Sequence, residues 1–217
     1  MAKAAKDTNN LLIVPNTGAD ATTGLISASN IFPISSSNRQ PGYAKCEVLA
    51  KKGHKKVITI TWKYADGDEW VRGFKEAFEK SDGKVVKELR VHFPNVEFKA
   101  LLAEIAATNP AAIHTFFCRR RRQVRQGLAG AGLKKSIPPY DADFLSDGTL
   151  EAQDADGLLT ALHYANALGT PRETSFRLVY AKAYKMHPGV YAVQGYRAAQ
   201  LLGVGLAAVK QRYSQEG

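Results

Sequence analysis

The sequence predicts an α/β protein, and three observations carry that prediction. The stretch from Lys55 to Phe78, KKVITITWKYADGDEWVRGFKEAF, holds a strand, a loop and a helix in one continuous run. Strand and helix patterns then alternate with short connections as far as Tyr140. Beyond Tyr164 the pattern changes to two consecutive helical segments, which points to a separate packing unit.

Within the first stretch, Val57, Ile58, Ile60 and Trp62 with threonines between them form a β-branched run of strand length, the composition of a buried strand. Trp70, Val71, Phe74, Ala77 and Phe78 recur at helical spacing, so this helix presents an apolar stripe to a sheet. Asp66, Asp68 and Glu69 place negative charge on its first turn, where the helix dipole favours it. The loop Tyr64-Ala65-Asp66-Gly67 therefore sits at the carboxyl end of a strand, where open α/β sheets hold their ligands.

The other elements follow in order. Residues 1–10 read as the end of a helix, with Asp7 to Asn10 as turn formers, and Leu11 to Val14 as a short buried strand. A chain that opens by finishing a helix is expected to be truncated. The loop Pro15-Asn16-Thr17-Gly18-Ala19 offers small residues that let a ligand approach the backbone, although taken alone it is an ordinary turn. Asn30 to Ile34 is a second extended piece, and the polar link Ser35 to Asn38 is a candidate domain boundary. Pro41 suits the first turn of a helix whose apolar side is marked by Tyr43, Val48 and Leu49 and which Gly53 closes. Gly83 to Val91 reads as a strand, Asn95 as a cap, and Phe98, Leu101, Leu102 and Ile105 as a helical stripe stopped by Asn109-Pro110. Ala112 to Phe117 is the next strand, Gln123 to Ala131 a glycine-weakened helix and Ser136 to Tyr140 a further extended segment. Asp147 to Asp156 is expected as a short helix and loop, and Gly157 to Tyr164 as a strand. Phe176, Val179, Tyr180, Ala183 and Tyr184 share one helical face, Pro188-Gly189 interrupts, and Tyr191 to Val209 forms a long, nearly apolar helix.

At 217 residues and 45% apolar composition the chain can bury one sizeable core or two modest ones. No stretch reads as a transmembrane span, because Val190 to Val209 contains Gln194, Tyr196, Arg197 and Gln200. The opening MAKAAKDTNN lacks the apolar core of a secretory signal. Cys46 and Cys118 form no framework and are expected as free thiols.

The net charge of +10 invites a nucleic-acid or anionic-surface reading, yet four of its cations are the single run Arg119 to Arg122. On a helix those side chains point about 100° apart, so they build no single groove-binding face, and no aromatic residues interleave with them. Binding through Arg119–Arg122 is kept as the alternative class. Metal-ligand, phosphate-loop and nucleophile-elbow signatures are absent, and His54, His92, His114, His163 and His187 are scattered singly. Asp141 and Asp143 share one loop without a nucleophile beside them, so no enzymatic activity is expected. A carboxylate at a strand end would instead suit a ligand ammonium group.

The ordered segments PNTGA, NIFPISSSNRQPGYA, KKVITITWKYADGDEWVRGFKEAF, NVEFKALLAEI, FF, AGLKKSIP, FRLVYAKAYKMHP and VYAVQGY resemble the substrate-binding proteins of branched-chain amino-acid (Leu/Ile/Val) type ABC transporters. The resemblance runs over nearly the whole chain. It implies the periplasmic-binding-protein type 1 fold, built of two three-layer αβα lobes. One lobe, residues 38–160, is expected nearly complete, and the other, residues 1–37 and 161–217, only partial. The implied function is capture of an amino acid or related small carboxylate in the cleft between lobes, without cofactor or metal, for a membrane permease. Localisation is periplasmic by resemblance, and cytoplasmic if the chain is expressed as given.

The resemblance also implies site residues. Asn16, Thr17, Gly18 and Ala19 correspond to the family's carboxylate site and Tyr64 to a cleft aromatic. Phe117 corresponds to a cleft residue of the second lobe, Asp141 or Asp143 to the ammonium ligand, and Tyr191 to an aromatic wall. Three departures stand out. The family's leading strands and signal peptide precede a loop that here stands almost at the start. Cys118 and four arginines replace small residues, as a local frameshift in a GC-rich gene would do. Arg197 stands where Asp is common. These imply a truncated copy with weak or no binding, or a gene remnant, and an exposed Tyr191 to Val209 surface open to self-association.

Overall fold

The structure, a computed structural model, describes residues 1–92, 97–116, 121–133, 137–142 and 159–215. It divides into two compact units, residues 37–162 and residues 1–36 together with 163–217.

The unit of residues 37–162 is built on a five-stranded, wholly parallel sheet. Its strands are β3 (Lys56–Trp62), β4 (Lys84–Val91), β5 (Ala112–Phe116), β6 (Pro139–Ala142) and β7 (Leu159–Ala161), in the spatial order β4-β3-β5-β6-β7. A parallel sheet must be covered on both faces, and the alternation of side chains sorts its residues accordingly. Ile58, Ile60 and Trp62 of β3 and Ile113 of β5 pack with Leu101 and Ile105 of α4 (Phe98–Thr108) and Leu128 of α5 (Arg121–Gly130). Val57 and Ala112, on the opposite face, pack with Cys46 and Leu49 of α2 (Arg39–Lys51) and with Phe74, Ala77 and Phe78 of α3 (Ala65–Lys80).

The apolar stripe expected of α3 is its buried face, because Trp70, Val71, Phe74, Ala77 and Phe78 are all buried. The helix begins at Ala65, with Asp66 and Asp68 in its first turn as expected, so the strand-end loop is shorter than the four residues Tyr64 to Gly67. The face of α2 needs correction: Tyr43 and Val48 are exposed, and Gly42, Lys45, Cys46 and Leu49 are buried. The cause is close helix–helix packing, in which a Cβ on Gly42 would lie 2.7 Å from the Trp70 carbonyl oxygen and one on Gly73 2.5 Å from that of Arg39. Cys46 is a free, buried thiol. The expected Asn95 cap, the Asp147 to Asp156 segment and Cys118 lie outside the described residues. Of the arginine run, Arg119 and Arg120 lie outside them as well, and Arg121 and Arg122 open α5.

Surface ion pairs join the layers of this unit: Arg39 with Glu76, Lys87 with Glu104, Lys75 with Glu88 at 2.8 Å and Arg90 with Asp68 at 3.1 Å. All are partly solvent-exposed, so each contributes at most about 1 kcal/mol.

The second unit contains α1 (Ala2–Thr8), the parallel pair β1 (Leu12–Val14) and β2 (Ile31–Pro33), a 3₁₀ turn (Asp20–Thr22) and two helices, α6 (Pro171–Tyr184) and α7 (Val190–Gln215). The Asn30 side-chain amide donates to the carbonyls of Ala5 and Asn10 at 2.7 and 2.8 Å, which fastens α1 to β2. Thr170 caps α6 by accepting from the Glu173 amide at 3.2 Å, with Pro171 opening the helix as its fixed φ favours. The face Phe176, Val179, Tyr180, Ala183 and Tyr184 lines a groove of about 550 Å³ together with Tyr164, Val193 and Tyr196. Val204, Leu206 and Val209 of α7 are exposed, as the sequence implies for that surface. Among the described residues, no helix is long and apolar enough to cross a membrane.

Candidate ligand-binding site

The strand order places a topological switch between β3 and β5. The chain leaves β3 into α3 on one face of the sheet and leaves β5 toward α5 on the other, and the carboxyl ends of such neighbouring strands are where open α/β sheets form a ligand crevice. Tyr64 stands there. The Lys63 amide donates to the Val91 carbonyl at 2.9 Å and the Tyr64 amide to the Trp62 carbonyl at 2.9 Å, which turns the chain sharply at the end of β3. Tyr64 is itself extended, and its carbonyl accepts from Asp68 at 3.2 Å in the first turn of α3. With its backbone tied at both ends, the residue remains 43% exposed.

Below that ring lies Phe116, the last residue of β5, buried and 6.1 Å away between centroids. Phe116 rests on Trp70 at 5.0 Å, and Trp70 stacks on His114 at 5.7 Å with 16° between ring planes. His114 stacks in turn on Phe74 at 3.9 Å and 12°. Tyr64 is thus the exposed end of a continuous aromatic column. Burial, reinforced by the Lys45 charge, holds the His114 imidazole well below its usual pKa.

Gly67 lets α3 seat on the end of β3. A Cβ there would fall 2.4 Å from the Trp62 carbonyl oxygen and 3.2 Å from the Thr61 Cβ, so the backbone itself would have to move. Gly67→Ala is therefore expected to destabilise the unit by about 1–3 kcal/mol in denaturant melts. An unchanged midpoint would show that α3 is not seated this way.

The first turn of α3 is acidic. Burial, with Glu69 nearby, raises the Asp66 carboxyl above its ordinary value, against the opposing effect of its Asn38 hydrogen bond. Asn38 also donates to Glu69 at 2.9 Å.

The remaining expected site residues fall as follows. Asp141 is in β6, in register with Thr160 of β7, and Phe117 and Asp143 lie outside the described residues. In the other unit, Asn16 and Thr17 are exposed and Gly18 and Ala19 half-buried at the end of β1. Ser35 donates to the Thr17 carbonyl at 2.8 Å, and the Ala19 carbonyl accepts from the amide and hydroxyl of Thr22 at 3.0 and 2.6 Å. Among the described residues, the amides of Asn16, Thr17, Gly18 and Ala19 donate to no protein acceptor. Tyr191 is 58% exposed on the first turn of α7. The three residues that sequence reasoning missed, Phe116, Trp70 and His114, form the column beneath Tyr64. The signal was the alternation Ala112, His114, Phe116, which places these three on one face of β5.

Comparison with known proteins adds to this geometry. The solute-binding protein of an ABC transporter from R. palustris, solved in complex with benzoate, matches with TM-score 0.82 and 40% sequence identity over 96% of this chain and 58% of its own. One from Rhodopseudomonas palustris BisB5, in complex with 3,4-dihydroxybenzoic acid, matches with TM-score 0.77 and 28% identity over 93% of this chain and 56% of its own. Among curated proteins, Leu/Ile/Val-binding protein homolog 6 of Brucella abortus (strain 2308) is 28% identical over 136 residues, 59% of this chain and 35% of the relative. The chain thus spans under three fifths of these solved structures and about a third of the curated relative. The sequence profile of the family described as periplasmic binding protein matches residues 1–216, and the chain belongs to that family.

Proposed function

We propose that this chain is the substrate-binding component of an ABC transporter, that it works in the periplasm and delivers its ligand to a membrane permease, and that the ligand is a small carboxylate. Aromatic carboxylates are favoured over branched-chain amino acids. The observation that carries this choice is the half-exposed Tyr64 ring lying on buried Phe116 at the switch point, a flat apolar face suited to a ring. The benzoate complex of the 40%-identical protein supports it. In the unit of residues 37–162, Tyr64 is the proposed ring contact, with Phe117 and Asp141 or Asp143 as further proposed contacts. In the unit of residues 1–36 and 163–217, the proposed ligand contacts are the amides of Asn16 to Ala19, as donors to a carboxylate, and Tyr191.

Calorimetric titration with benzoate, 3,4-dihydroxybenzoate and leucine tests the proposal. Benzoate or its hydroxylated relative is expected to bind at least tenfold more tightly than leucine, and Tyr64→Ala to weaken that binding about tenfold. Tighter binding of leucine would reverse the ligand choice. No heat with any of the three, from folded protein, would sink the proposal.

A further inference from the structure

We infer that His114 is a positioning residue for the Tyr64 wall, and that acid withdraws this wall because His114 must leave its aromatic stack when its second ring nitrogen takes up a proton. The consequence for affinity rests on the reading of Tyr64 as a ligand contact; the positioning role does not.

His114 is fully buried in the middle of β5, and among the described residues neither Nδ1 nor Nε2 has a hydrogen-bond partner. Its ring is held by faces rather than by hydrogen bonds, against Phe74 at 3.9 Å and Trp70 at 5.7 Å. Trp70 passes the contact to Phe116 at 5.0 Å, and Phe116 passes it to Tyr64 at 6.1 Å. The position of the exposed ring thus depends on rings that His114 supports.

The surroundings suit neutral imidazole. From α2 the charged neighbour is Lys45, itself buried, with Nζ 4.7 Å from the centre of the Trp70 ring. From α3 the neighbours are Trp70 and Phe74, and from β3 it is the register partner Thr59, none of which titrates near neutrality. From β6 the register partner is Tyr140, whose hydroxyl lies 2.9 Å from His54 Nε2 and whose pKa burial raises. Imidazolium carries two N–H donors, and among the described residues no acceptor faces either. Attraction of the cation to the flanking rings offsets only part of its desolvation, and Lys45 adds like-charge repulsion. The cost outweighs the gain, so the protonated state favours a rearranged column.

The experiment follows Tyr64 without ligand, by ¹⁹F NMR of protein labelled with fluorotyrosine, with Tyr64 assigned through Tyr64→Phe. Benzoate affinity is measured in parallel between pH 7.5 and 5. The Tyr64 resonance is expected to titrate with a midpoint below 6.5, and benzoate affinity to fall about tenfold across that titration while far-UV circular dichroism stays unchanged. Both responses are expected to disappear in His114→Phe, or in His114→Gln should the phenylalanine variant not fold, and to survive in His54→Gln. A Tyr64 resonance that ignores pH, or that titrates equally in the His114 variants, overturns the inference. A Tyr64 that titrates in protein binding none of the carboxylates upholds the positioning role and sinks the proposed function.

Discussion

Trp70→Ala is expected to lower the unfolding free energy by about 3–5 kcal/mol, read as an earlier urea midpoint at unchanged slope. Trp70 is 1% exposed and touches elements on every side: His114 and Phe116 of β5 through their rings, and Lys45 of α2 through its cation. Truncation leaves a cavity at the crossing of α2 and α3, which cannot collapse easily, because Gly42 and Gly73 already bring the two helices to backbone contact. It also removes the ring under Phe116, so ligand binding should weaken even at temperatures where the variant is folded. Trp70→Phe keeps a ring in place and is expected to lose less than half as much stability. A Trp70→Ala variant within 1 kcal/mol of the parent would show that this column does not hold the unit together.

The same residues show how far the sequence could be read. The strand and helix between Lys55 and Phe78 were legible because their periodicities differ and all five predicted stripe residues of α3 are buried. The buried face of α2 was not legible. Hydropathy scores Gly42 and Lys45 as surface residues, but Gly42 is needed for backbone approach, and Lys45 lays its stem against α3 with its charge on the Trp70 ring. At the end of β5 the resemblance names Phe117, which lies outside the described residues, and the described ring near Tyr64 is its neighbour Phe116. Tyr64 was placed at a strand end from sequence alone. The rings that support it come from elements far apart in the chain, which no local pattern reveals.

Acid is expected to destabilise the protein between pH 7 and 5, and His114 is expected to dominate the loss. Burial is the leading cause that lowers the pKa of His114, His54 and His163, with Lys45, Lys52 and Arg197 adding to it in that order. For each, the unfolded state takes up a proton near 6.5 and the folded state only at lower pH. In the window between those values the unfolded state binds more protons, so stability is complete above 6.5 and falls as pH drops through the window, at about 1.4 kcal/mol per pH unit for each fully linked proton. His54 and His163 are partly exposed and water screens their contribution, whereas His114 is fully buried. Asp66 acts in the opposite sense: its raised folded pKa makes protonation favour the folded state, in a window that extends upward from 3.8. It therefore cannot produce a loss between pH 7 and 5. Urea melts at pH 7.5, 6.5, 5.5 and 5 should show a falling midpoint in the parent and a much flatter one in His114→Phe, so that the variant gains relative to the parent as pH drops. Parallel curves for the two proteins would place the acid sensitivity elsewhere and remove His114 from the account.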